Sequence, residues 1–230
     1  MNKRGVSNIE FILAFILFMG FVVSALYFFN PVRSTDVMQS SERYTINKII
    51  TNTTVEIGSY SVKISDQSAE AICVEIEGVD AGKKARVEDY NGNELPSARV
   101  DNKVYFERDG KNFVVIHFSE DFEGGKTTSE RPDKENNYQI ASSTSSSVIS
   151  EKRIRNLKDA YANDYSSLKT QLDIPPGVDF SFSLAFSNGT VIAAEKTTPL
   201  RAEVFSETKI EEALKSDGTS EFAYLTAKIW

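Results

Sequence analysis

A run of apolar residues near the start of the chain constrains the fold more than any other feature. Ile9 to Phe29 are 21 consecutive positions in which Glu10 is the only charged residue. A helix of this length reaches about 30 Å, which is enough to cross the hydrocarbon core of a bilayer. The run is too long for the apolar region of a secretory signal peptide, and no small-residue cleavage site follows it. The sequence therefore predicts a transmembrane helix that stays in the mature protein.

Charges beside the run predict its orientation. Lys3 and Arg4 precede the apolar residues, and the positive-inside rule then leaves the N-terminus in the cytoplasm. Everything after Phe29 is expected on the extracellular side. An alternative interpretation is that these two residues serve topology alone and that Glu10 reaches toward the membrane interface.

Residues 3 to 10 together with the apolar helix resemble the class III signal peptide of type IV prepilins, most closely that of archaeal pilin-like proteins. The resemblance implies that a membrane-embedded aspartyl prepilin peptidase cuts between Gly5 and Val6 and leaves the helix attached. Glu10 is then the fifth residue of the processed chain, where the family keeps a glutamate that pairs with the N-terminal amine of a neighbouring subunit. The resemblance also implies an assembly ATPase and a polytopic platform protein as partners.

The proposed role of Glu10 agrees with the physics of the bilayer. A carboxylate and an ammonium group attract strongly in a medium of low dielectric, whereas either charge alone is costly there. An acidic residue within the membrane is therefore a functional hypothesis by default. Three classes of protein are considered: a pilin-like subunit that polymerises through this helix, a non-polymerising, membrane-anchored extracellular binding protein in which Glu10 is dispensable, and a membrane-tethered enzyme. The sequence offers no nucleophile elbow, metal-ligand spacing or phosphate loop in favour of the third.

Composition argues against other classes. The 26 basic and 33 acidic residues give a net charge of −7, which disfavours nucleic acid as a partner. A single cysteine, Cys73, cannot form an internal disulfide, and a single histidine, His117, does not suffice for an ordinary zinc site. Residues 89–94 begin like a calcium loop but lack its later glycine and final acid, so they are interpreted as a turn. We expect no enzymatic activity, no cofactor and no metal.

The segment after the membrane run changes character at Pro31, which predicts a kink or break. Residues 32–51 then carry a patchy apolar face with helical spacing. They are interpreted as a stalk helix, with a loosely ordered linker as the alternative. The predicted organisation is thus a leader (1–5), a transmembrane and polymerisation helix (6–30) and a stalk (31–52).

The rest of the chain predicts a β-rich head. Short alternating runs and the turn dipeptides Asn91-Gly92 and Asp109-Gly110 indicate an antiparallel, sandwich-like module of six or seven strands over 53–123. Residues 124–147 lose periodicity and are Ser/Thr-rich, which predicts a flexible polar loop. The fold class is therefore α+β, with a transmembrane helix followed by an extracellular head.

The final segment, 148–230, combines a helix with antiparallel hairpins. Ser150 caps a predicted amphipathic helix of about 20 residues, and Asn188-Gly189 closes a hairpin with an aromatic face. Ser206 to Leu214 has helical composition, yet Asp217-Gly218 before the final strand favours a second hairpin. Archaeal pilin-like proteins resemble this ending, with the last strand finishing in tryptophan, here Trp230.

Two further features refine the hypothesis. The large head, with its additional β-module, favours a minor pilin, a tip adhesin or a pseudopilin over a major filament subunit. Asn52 and Asn188 each begin an N-glycosylation sequon on the predicted outer side.

Overall fold

A computed structural model describes residues 8–28, 32–65, 69–123, 125–132, 137–198 and 203–230. Within them lie four helices: α1 (Asn8–Phe28), α2 (Val32–Thr53), α3 (Glu151–Asn163) and α4 (Tyr165–Gln171). The strands are β1 (Thr54–Ile64), β2 (Ala71–Glu75), β3 (Lys84–Asp89), β4 (Glu94–Leu95), β5 (Ser97–Val100), β6 (Lys103–Glu107), β7 (Phe113–Ser119), β8 (Tyr138–Ser150), β9 (Phe180–Phe186), β10 (Val191–Ala194), β11 (Phe205–Leu214) and β12 (Ser220–Ile229). The coarse α+β class expected from the sequence is confirmed.

Nine of the described strands form one sheet in the order β10-β9-β12-β11-β8-β1-β7-β3-β4, and β2-β6-β5 form a second. Neighbouring strands are antiparallel except β8 and β11, which pair in parallel over a short stretch at Ile149 and Ser150. The large sheet therefore runs through the predicted boundary between residues 123 and 148. The two halves of the head share one sheet rather than standing apart.

The first core lies between α2, α3, α4 and the β9-β12 part of the sheet. Alternate residues of β12 (Ala223, Leu225, Ala227, Ile229) are fully buried, as the alternation in this strand predicted. They meet Ile46 and Ile49 of α2 and Ile154 of α3 in one cluster. Since α2 packs on the sheet, the stalk segment is a helix that belongs to the head's core.

The second core lies between the two sheets. Apolar residues of β1, β3 and β7 face those of β2 and β6, with Val62, Ile116 and Phe118 opposite Ile72 and Phe106. Two sheets with a shared apolar interior give the sandwich-like arrangement expected for this region. The Asp109-Gly110 turn, however, joins β6 of the small sheet to β7 of the large one. The hairpin expected at this dipeptide is thus wrong, because a turn fixes local direction but not which sheet the next strand enters.

Two expectations about the middle of the chain are also wrong. The predicted flexible loop ends at Tyr138, where β8 begins and pairs with β1 along its whole length. Its polar side chains bury little apolar surface, and backbone hydrogen bonds to β1 hold it instead. The predicted single helix after Ser150 is broken at Asp164, which ends α3 and whose side chain then accepts a hydrogen bond from Ser167 N of α4.

One arginine joins α3 to two parts of the large sheet, the segment just after β7 and the start of β1. Arg153, in the first turn of α3, donates through Nε to Asp121 Oδ2 at 2.7 Å and through Nη2 to Glu120 Oε2 at 3.0 Å. Its Nη1 donates to the carbonyl of Thr54 at 2.8 Å. The acidic residues just after β7 therefore help to anchor α3.

Replacing Arg153 with methionine should lower the free energy of unfolding by about 3 kcal/mol, because the mostly buried Asp121 carboxylate loses its partner. Lys152→Met is the matched control: the neighbouring Lys152 pairs at 2.8 Å with Glu123, but both side chains are well exposed. Its loss should cost less than about 1 kcal/mol. Urea unfolding of both variants checks the difference, and equal destabilisation would contradict it.

Candidate functional site

Helix α1 is exposed along its length. Apolar side chains on every side of the helix, such as Phe11 (74% exposed), Leu17 (68%) and Phe21 (72%), face away from the protein. None of the described α1 residues belongs to the hydrophobic clusters of the head. Residues Glu10–Phe28 are long and apolar enough to cross a bilayer. An uninterrupted apolar surface of this kind requires lipid or other apolar helices around it.

Glu10 lies in the first turn of α1 and is exposed. The first turn is the end of a helix where unpaired N–H groups create a partial positive charge, so a carboxylate is favourable there. Among the described residues, no ion pair to Glu10 is present within the chain. Its carboxylate is therefore accessible to a partner outside the chain, such as an ammonium group.

The predicted processing residues Lys3, Arg4, Gly5 and Val6 lie outside the described residues. Cleavage between Gly5 and Val6 stays a prediction from the sequence. The structure shows only that a helix has begun by Asn8, a short distance after the predicted cleavage position.

The two sequons lie at different kinds of position. Asn52 is exposed in the last turn of α2, and its side-chain Nδ2 donates to the carbonyl of Lys48 at 2.9 Å. Asn188 is exposed in the turn between β9 and β10, and its Oδ1 accepts from Thr190 N at 2.9 Å. Gly189 beside it has a φ of 86°, as this turn requires. The Asn188 side chain thus stabilises its turn, and glycosylation of either residue stays a prediction.

The structure places Ser59 and Glu88 beside His117, a grouping that no local sequence pattern indicates. Ser59 and His117 are paired across β1 and β7, and Ser59 Oγ lies 2.8 Å from His117 Nδ1. The Nε2 atom of His117 is 3.8 Å from Glu88 Oε2. Burial lowers the pKa of His117, and the Glu88 carboxylate offsets this only in part. The neutral imidazole is therefore favoured.

These three side chains do not have the surroundings of an activated nucleophile. Ser59 lies mid-strand, between β7 on one side and β8 on the other. The nearby backbone N–H groups serve these two ladders, so they are not free to stabilise an oxyanion. We interpret the cluster as polar packing on the large sheet.

The loop that resembled a calcium site is built around Asp89. Its Oδ1 accepts from Asn93 N at 2.9 Å and from Asn91 N at 2.8 Å, and Lys111 Nζ lies 3.4 Å from Oδ2. The hydrogen bonds from Asn93, foremost, hold the pKa of Asp89 down at about 2. Within the described part of the chain, no cluster of His, Cys, Asp or Glu side chains could hold a metal ion. The carboxylate organises the β3-β4 turn.

Comparison of the chain with family models, with curated proteins and with solved structures found no match. The features of this chain that bear on its function are accordingly α1, Glu10 and the sequence before them.

Proposed function

We propose that this chain is a membrane-anchored, type IV pilin-like subunit, of the minor pilin, tip adhesin or pseudopilin kind. It is inserted with its N-terminus in the cytoplasm and its head outside the cell. Processing after Gly5 releases Val6 as the new N-terminus, and the apolar helix then assembles with those of other subunits into a surface filament or a secretion-type complex.

The single acid, Glu10, within the exposed apolar surface of α1 is the observation that carries this proposal. A simple membrane anchor needs such a surface but has no use for a carboxylate inside it. Glu10 lies within the first turn of the helix, where an ammonium group of a neighbouring subunit can pair with it in a medium of low dielectric. The combination of apolar surface and single acid favours assembly over anchoring alone.

The head supports the same proposal more weakly. Ile46 and Ile49 of α2 are fully buried against the sheet, so the segment that follows the membrane helix is part of the head's core. A β-rich head laid on its N-terminal helix is what the resemblance to pilin-like proteins implies. The partners are then membrane lipid, other pilin-like subunits, the prepilin peptidase, and the assembly ATPase with its platform protein.

Gly5→Val should abolish processing, because the peptidase must approach an extended backbone and a side chain at this position blocks it. The measurement is the mass and N-terminal sequence of the protein from its own membranes: wild type should begin at Val6 and the variant should stay full length. Gly20→Val is the matched control. A Cβ on Gly20 meets no atom within 4 Å, so this variant should be processed like wild type.

One outcome would overturn the proposal, and another would show that the substitutions do not test it. A natural protein that begins at Met1 or Asn2 is not processed, and the non-polymerising anchored binding protein becomes the better description. A Gly20 variant that also stays full length would show that insertion of the helix, rather than recognition of Gly5, is what the substitutions disturb.

A further inference from the structure

Strand β8 has a long open edge. On one side it pairs with β1 from Tyr138 to Ile149, whereas on the other β11 pairs with it only at Ile149 and Ser150. Among the described residues, the outward-facing backbone groups of 139–147 have no backbone partner. Their side chains are exposed throughout. Alternate N–H and C=O groups along an edge point away from the sheet, so this edge is a ready template for another strand.

This edge lacks the usual protection. The 13 residues of β8, YQIASSTSSSVIS, contain no charge and no proline, in a chain of which 26% is charged. Natural edge strands are normally shortened, charged or interrupted by proline to prevent pairing. The opposing open edge of β11 follows this rule, with Glu207, Lys209, Glu211 and Glu212 along it. Strand β8 is thus exceptional within its own sheet.

The structure also limits how much of the edge is regular. The register between β1 and β8 shifts at Ala141, which forms a bulge. At the other end β11 joins the strand at Ile149. Between these limits lies a stretch of six consecutive hydroxyl residues, 142–147.

We propose that this stretch pairs antiparallel with the same stretch of a second copy of the chain, about a twofold axis through Thr144. The strands at the outer edges of the two described sheets are short, from two residues in β4 to five in β2, and the longer open edge of β11 is charged, so another β8 is the uncharged partner of matching length that the chain offers. Self-pairing brings no charges together. It places Ser142 opposite Ser146 of the second copy, and such hydroxyl pairs stabilise antiparallel ladders.

The twofold symmetry has a consequence that rests on the proposed function. Neighbouring subunits within one filament are related by a helical rotation and all point the same way, so a twofold contact does not fit between them. Pairing through β8 would instead join the heads of two filaments or of two membrane-anchored copies. The β8 edge then serves bundling or cell contact rather than elongation.

Charge variants of the full-length protein in detergent test this pairing. Ser142→Lys/Ser146→Lys places like charges opposite each other in both copies, as does Ser142→Glu/Ser146→Glu. Each variant alone should raise the dimer dissociation constant about tenfold or more, and an equimolar mixture of the two should restore association through opposite charges. Sedimentation measures each sample. Association through α1 is common to all of them, so it cannot produce this pattern.

The possible results distinguish the β8 contact from general unfolding and from the proposed function. Restored association in the mixture supports the β8 contact even if each variant loses some stability, because general unfolding would not be cured by mixing. The proposed contact is wrong if the heads of wild-type protein do not associate with each other. It is also wrong if the mixture of the two variants associates no more tightly than either variant alone. Processing after Gly5 is read independently by mass, so failure of the β8 contact leaves the proposed function standing, and the converse also holds.

Discussion

Glu10→Ala should leave the chain processed and in the membrane but absent from sheared surface filaments. Removing the carboxylate leaves the N-terminal ammonium of the neighbouring subunit without its partner in hydrocarbon. For charges about 4 Å apart at an effective dielectric of 20, the lost attraction is about 4 kcal/mol, or on the order of a thousandfold in each subunit addition. Quantification of the protein in sheared and membrane fractions measures the effect.

Glu10→Gln separates charge from shape in this experiment. The amide keeps the size and polarity of the side chain but cannot pair ionically, so it should fail to assemble as the alanine variant does. Glu212→Ala is the control, since Glu212 is an exposed head residue on β11 and its loss should not change filament yield. If the Glu10 variants appear in filaments at the wild-type level, the carboxylate is dispensable. The interpretation of the chain as a non-polymerising, membrane-anchored binding protein is then favoured.

Periodicity allowed much of the fold to be predicted. The apolar run identified α1, and the alternation of Ala223, Leu225, Ala227 and Ile229 identified β12, because in both cases burial or exposure follows the repeat of the element. The Ser150 cap also follows from local chemistry, since its side chain accepts from Arg153 N within the first turn. These features depend on neighbours in sequence.

The parts that escaped prediction depend on distant neighbours. Strand β8 has no apolar alternation from Gln139 to Ser147, because both of its faces are exposed, so the sequence carried no signal of a strand there. Ser59 and His117 meet only because β1 pairs with β7 in one register, which no local pattern specifies. The same holds for Arg153 and Asp121.

The same distinction between local and distant neighbours applies to the candidate functional features. Glu10 could be placed from the sequence because a single acid in an apolar run is a local anomaly, and the structure adds that its helix is exposed on all sides. The open edge of β8 could not be predicted from the sequence, because whether a strand has a partner on each side depends on the topology of the whole sheet. Only the topology reveals that β11 pairs with β8 at just the last two residues of β8, Ile149 and Ser150.

Phe180→Ala should have the largest effect on stability, lowering the free energy of unfolding of the head by about 4 kcal/mol. Phe180 is fully buried in β9 and packs against the rings of Tyr161 and Tyr165 at centroid distances of 5.3 and 5.6 Å. Truncation leaves a cavity and removes these aromatic contacts together. Since domains are stable by only about 5–15 kcal/mol, the variant should unfold at much lower urea concentration.

Phe222→Ala is the matched control for this prediction. Phe222 lies on β12 in the same sheet, but on the opposite face, where 68% of it is exposed. The same atoms are removed without a cavity, so the cost should stay within about 0.5 kcal/mol. Trp230 is the chain's only tryptophan, and its backbone pairs with Asp179 beside Phe180, so its fluorescence should report unfolding of this part of the head. Equal midpoints for the two variants would mean that the aromatic face of β9 is not the centre of the head's core.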